Sequence, residues 1–179
     1  GKLVAFHRGS RNWAADSFIG NSFNKDVYGP IPEPVLTLID TKRSKVLESW
    51  GKKRFYMPHG VTVDQHGNVW VTDVGLHQVL KFNFASDSDD PLELVLGVEF
   101  EDGTDKNHFC KPAGVKIAED NGDIFVADGY CNQRVVRFDK NGEFVREYKD
   151  EQKPLNIVHS VALVEGLGLV CTVSREEGR

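Results

Sequence analysis

The sequence predicts an all-β protein, a β-propeller of which this chain carries about half. Three observations lead there. Short stretches alternate apolar and polar residues with period two, and no stretch keeps a helical period. Three segments align with one another, starting at Pro58, Pro112 and Val158. Their offsets lie near the period of about 40–50 residues found in propeller repeats. Each aligned unit supplies up to four short strands, as a propeller blade does. A β-sandwich also has short strands and frequent turns, but the turn register shared by the repeats favours the propeller.

Taken in order, "KLVAFHRGS" matches the second strand of a repeat, and "PVLTLIDTKRSKVLESWG" supplies that repeat's outer strands. In "PHGVTVDQHGNVWVTDVGLHQVLKFN", Val61 and Val63 alternate with polar neighbours. "DQHGN" then turns the chain, and Val69 and Val71 alternate again, the signal of a β-hairpin. "QVLKFN" follows as a third strand. "PAGVKIAEDNGDIFVADGYCNQRVVRFDKNGEFVREY" repeats the pattern with four strands. "VHSVALVEGLGLVCTVSREEGR" gives two more. The chain amounts to roughly three and a half blades, one partial domain over residues 1–179, with the remaining blades expected beyond both ends.

The 179 residues are 40% hydrophobic with a net charge of -5, enough for a core. No basic run is long enough for a nucleic-acid groove. No apolar run approaches the ~18 residues of a membrane span. The opening "GKLVAFHRG" lacks the apolar centre of a signal peptide. The three cysteines, Cys110, Cys131 and Cys171, are an odd number, which is awkward in a secreted protein.

The repeats give the histidines meaning. The position before the first strand holds His59, Ala113 and His159 in successive repeats. Equivalent positions in a propeller share a radius, and this one faces the central channel. His59 and His159 are therefore expected to converge there, and two converging imidazoles are good zinc ligands. The plainer alternative is that each caps a turn by hydrogen bonding. His7, His66, His77 and His108 share no such position and are read as structural.

A second shared position follows the second strand, where Asp73 and Asp128 are replaced by His7 and Ser174 at the ends. The aspartates are expected to hold the strand-exit turn by accepting backbone N–H groups. Just beyond come Arg8, Tyr130 and Arg175. Arginine suits a carboxylate because its planar fork binds both oxygens. A tyrosine beside a metal and a cation can have its pKa lowered and act as a base.

The runs "FHRGSRNW", "FYMPHGVTVDQHGNVWVTDVGLHQV", "NHFCKPAGV", "VADGYCNQRVVRF" and "HSVALV" closely resemble the peptidyl-α-hydroxyglycine α-amidating lyases along nearly the whole chain. The resemblance implies a six-bladed propeller of NHL-like repeats. It implies a channel zinc held by three histidines and a deeper structural calcium. The reaction would cleave an α-hydroxyglycine-extended peptide to a peptide amide and glyoxylate, in peptide-hormone maturation.

By the same resemblance His59 and His159 match zinc ligands, and the backbone carbonyl of Val61 matches a calcium ligand. Arg8, Tyr130 and Arg175 match active-site residues. Cys110 and Cys131 match a disulfide pair, with the partner of Cys171 beyond Arg179. The third zinc histidine and an acidic calcium ligand would lie outside this chain, so that the chain by itself would be inactive. A copper monooxygenase, fused or separate, would be its partner. The protein would be a monomer of the secretory pathway or extracellular space. A non-catalytic NHL-type propeller that binds peptides or proteins is the competing expectation. The chain departs from the family at Ser174, which stands for an aspartate beside Arg175. It departs also in "GSRNWAADSF", where Trp13, Ser17 and Phe18 keep their places.

Overall fold

The computed structural model describes residues 1–86 and 90–177. The strands run in chain order as β1 (Lys2–Phe6), β2 (Phe18–Ile19), β3 (Ser22–Phe23), β4 (Leu36–Asp40), β5 (Lys45–Trp50), β6 (Pro58–Val63), β7 (Val69–Asp73), β8 (Gln78–Phe82), β9 (Leu92–Leu96), β10 (Gly114–Ile117), β11 (Ile124–Asp128), β12 (Arg134–Phe138), β13 (Phe144–Tyr148), β14 (Val158–Val164) and β15 (Leu169–Ser174). They form antiparallel sheets β1-β4-β5, β6-β7-β8-β9, β10-β11-β12-β13 and β14-β15, with β2-β3 a separate hairpin. The sheets are successive blades, and they do not close into a ring among the described residues.

Each expected strand is present, and two regions were not foreseen. β9 completes the second blade. Its Leu92, Leu94 and Leu96 alternate, but nine residues of sequence separate them from the end of β8. The other is the excursion between β1 and β4, which carries the β2-β3 hairpin where the repeat pattern supplies nothing.

The core lies between blades, which explains the alternation. Val69 and Val71 of β7 face the first blade and pack with Leu36 and Phe55. Trp70, between them in sequence, faces the third blade and packs with Val115, Ile124 and Val126. On β11, Phe125 and Ala127 point the other way, toward Val158 of the fourth blade. Period-two side chains therefore serve two neighbours, and every residue of β7 and β11 is buried. Burying an aromatic or branched side chain in this way contributes about 1.5–3 kcal/mol each.

Candidate active site

His59 and His159 reach the channel through the same backbone device. On β6, Pro58 pairs with Asp73 and Val61 with Val71, so His59 and Gly60 together oppose Thr72. On β14, Val158 pairs with Ser174 and Val161 with Thr172, so His159 and Ser160 oppose Val173. Both are β-bulges, which bend the strand and re-aim a side chain. Gly60 fits the bulge because a Cβ there would lie 2.7 Å from the Ala113 carbonyl oxygen. Its N–H donates to Thr72 Oγ1 at 2.8 Å.

The two rings meet, with centroids 5.0 Å apart. The carbonyl of Ala113 lies 2.8 Å from His59 Nδ1. A carbonyl can only accept, so Nδ1 carries the proton and Nε2 is left as a free acceptor. Tyr130 donates its hydroxyl to that Nε2 at 2.9 Å. The same oxygen lies 3.2 Å from His159 Nε2.

Tyr130 gets there through Gly129, where any Cβ would collide with the backbone of Val158. The third blade's exit loop can thus lie against the start of β14. Arg175 places Nη1 3.4 Å from the Tyr130 oxygen, with its guanidinium 5.4 Å from the ring centroid. Arg8 approaches from the first blade and donates Nε to the Pro58 carbonyl at 2.8 Å.

Burial lowers the pKa of His59 to about 4, against the pull of the Ala113 carbonyl and with help from His159, Arg8 and Arg175. Burial also lowers that of His159, as does Arg175. Both imidazoles are therefore neutral at pH 7, as metal ligation requires. Tyr130 departs from expectation. Burial pushes its pKa up and outweighs the pull of Arg175 and Arg8, so the protein groups alone keep it a phenol.

The donor set fits a zinc ion: two neutral imidazole Nε2 atoms face one point, and one of them is oriented by a carbonyl behind it. Among the described residues no group of three or more His, Cys, Asp or Glu gathers to hold a metal. Val61 lies in β6 two residues past His59 and is partly exposed.

Of the two buried aspartates, Asp73 holds its strand-exit turn as expected, whereas Asp128 takes its backbone N–H from the segment before β10 and otherwise binds side chains. Asp73 accepts N–H groups from Tyr56, Met57, Gly75 and Leu76 at 2.8–3.1 Å. Asp128 accepts the Cys110 N–H at 2.7 Å and the Arg134 Nε at 2.9 Å. Arg134 then donates to the carbonyls of Thr104, Asp105 and His108. At Ser174 the hydroxyl does this work. It accepts the Asn156 N–H at 2.8 Å and donates to Glu177 at 2.8 Å. Arg175, next in the chain, lies within reach of the Tyr130 hydroxyl. Cys110 and Cys131 are disulfide-bonded, and Cys171 is free and exposed.

An NHL repeat match covers residues 55–82 and 109–138. Among curated proteins, peptidyl-glycine alpha-amidating monooxygenase of Mus musculus is 44% identical over 99% of this chain and 19% of its own length. Peptidyl-alpha-hydroxyglycine alpha-amidating lyase 2 of Drosophila melanogaster is 40% identical over all of this chain and 44% of its own. A probable lyase of the same name from Caenorhabditis elegans is 42% identical over all of this chain and 51% of its own. The chain thus spans about a fifth of the monooxygenases and up to about half of the lyases. Among solved structures, a streptogramin B lyase aligns with TM-score 0.55 at 14% identity, over 83% of this chain and 48% of its own. That likeness concerns the fold alone. Along its whole length, the chain is similar to proteins named peptidyl-alpha-hydroxyglycine alpha-amidating lyase, of whose length it spans about half.

Proposed function

We propose that this chain forms part of a zinc-dependent lyase that cleaves peptidyl-α-hydroxyglycine to a peptide amide and glyoxylate. The observation that carries it is the meeting of His59, His159 and Tyr130, flanked by Arg8 and Arg175. The five residues come from four different blades. Structural packing does not require two neutral imidazoles, a phenol and two guanidiniums in one place.

His59 and His159 would hold the zinc through Nε2, with a further ligand from outside this chain. Bound there, zinc would supply Lewis-acid polarisation of the substrate's oxygens. Arg8 and Arg175 orient the substrate's carboxylate and stabilise negative charge as it develops. Tyr130 would have to lose its own proton first, which bound zinc would favour against the effect of burial; as phenolate it then receives the proton of the α-hydroxyl. The oxygen's electron pair then forms the aldehyde C=O, and the C–N bond breaks with its electrons going to nitrogen. The departing amide nitrogen takes up a proton, which Tyr130 can return. The site is cationic, and the carboxylate beside it, Glu176, is already bound to Arg175 at 2.7 Å. An anionic substrate end suits such a site.

The carbonyl of Val61 would contribute to a structural calcium. The Cys110–Cys131 bond fits an oxidising secretory or extracellular compartment. A copper monooxygenase, fused or separate, would supply the hydroxylated substrate. Incubation of the full-length protein with α-hydroxyhippurate tests the reading. Benzamide and glyoxylate in equal amounts are expected, and their absence from metal-replete protein would overturn it.

A further inference from the structure

We infer that Trp13 is a positioning residue that sets Arg8 and Tyr130 relative to each other. The two come from exit loops of different blades, and no hydrogen bond joins them among the described residues. Both touch the indole of Trp13. The Arg8 guanidinium lies 5.5 Å from its ring centroid. The Tyr130 ring lies 5.3 Å away at an interplanar angle of 46°. Cation–π and aromatic contacts of this kind favour a particular arrangement of partners.

Among the described residues the one hydrogen bond of the Arg8 side chain is from Nε to the Pro58 carbonyl, and the ring is left to set the tilt of its fork. The indole is itself braced. Its centroid lies 5.1 Å from that of Phe18. Phe18 packs edge-on against Phe23 at 5.4 Å and receives the Lys111 ammonium at 4.5 Å. The turn between them is closed by fully buried Ser17, which accepts the Ala14 N–H at 2.8 Å. Yet Trp13 stays 38% exposed, so hydrophobic burial alone does not account for its place. The excursion between β1 and β4 thus delivers one aromatic plane to the site.

For its kinetic half this inference rests on the lyase reading. The test uses Trp13→Ala and Trp13→Phe in the full-length protein. With α-hydroxyhippurate, Trp13→Ala should lower kcat/KM by on the order of 10- to 100-fold. KM should rise through Arg8 while kcat falls through Tyr130. Trp13→Phe should recover most of the loss. A purely structural role would lower kcat with KM fixed.

The second readout needs no activity. Nitration by tetranitromethane, followed by peptide mass spectrometry, should accelerate at Tyr130 in Trp13→Ala relative to Tyr28, Tyr56 and Tyr148. Unfolding would accelerate all four. Unchanged kinetics in an active protein, or an unchanged nitration ratio, would overturn the inference. If the wild-type protein releases no glyoxylate, the lyase reading falls and the nitration ratio still decides the role of Trp13.

Discussion

His59 Nε2 and the Tyr130 hydroxyl lie 2.9 Å apart although 71 positions separate them in the chain. The bond joins the second blade to the third, and His159 reaches the same oxygen from the fourth. The carbonyl of Ala113 holds His59 from behind. The position that carries no histidine therefore orients one that does.

Replacing His59 with Ala in the full-length protein should abolish zinc retention. Metal analysis after dialysis checks this, and full occupancy in the variant would refute the ligand assignment. Second-sphere loss is expected to be milder, about 10- to 100-fold in metal affinity.

Asp73 and Ser174 occupy equivalent positions and should differ in what their removal costs. Asp73→Ala leaves four backbone N–H groups without their acceptor in a fully buried place. A loss of about 3 kcal/mol or more is expected. Ser174→Ala removes an acceptor for one N–H group and should cost about 1–2 kcal/mol. Denaturant midpoints on the same protein compare the two, and equal losses would contradict the account.

The Cys110–Cys131 bond closes a 21-residue separation next to the loop that leads into β10. Changing both cysteines to Ser should destabilise the protein by about 3 kcal/mol. In the 179-residue chain, where Cys171 is free, the effect of reductant on unfolding should vanish in the same variant. A reductant effect that persists would point to another disulfide.

Acid should destabilise the fold through His77. This ring is fully buried, and its Nδ1 accepts the Lys111 N–H at 3.0 Å. Burial lowers its pKa to about 4, with Asp102 and Lys111 pulling in opposite directions. The unfolded chain takes up a proton near pH 6.5 and the folded chain does not until about pH 4. Stability is therefore full above pH 6.5 and is lost as pH falls toward 4, by about 3 kcal/mol from this group. Below pH 4 the slope from His77 ends. His77→Gln should flatten the midpoint-against-pH curve across this window, and an unchanged curve would contradict the assignment.

The repeat alignment was legible because each blade buries side chains against two neighbours. That requirement imposes the alternation on Val69, Trp70 and Val71. The shared position of His59 and His159 was legible for the same reason, since equivalent positions share a radius. The bulge that aims them was not. A two-against-one pairing depends on the partner strand's register, and neither strand records it alone. Trp13 was hidden because its excursion belongs to no repeat, and its partners Arg8 and Tyr130 meet it only once the blades are side by side. His77 is read from the sequence as structural, but its burial is not legible there. The groups that meet its ring, the Lys111 N–H and the backbone of Asn21 in the β2-β3 turn, are far away in sequence. At Ser174 the sequence shows only that a carboxylate is replaced. It does not show the hydrogen bond that the hydroxyl preserves.

The most direct measurement is the rate of glyoxylate release from α-hydroxyhippurate by full-length wild-type and Tyr130→Phe protein, each with its zinc content determined. The account predicts a loss of about 10²- to 10⁴-fold in kcat, with zinc retained and KM little changed. Unchanged glyoxylate release by Tyr130→Phe would contradict the central claim that this phenol moves the proton.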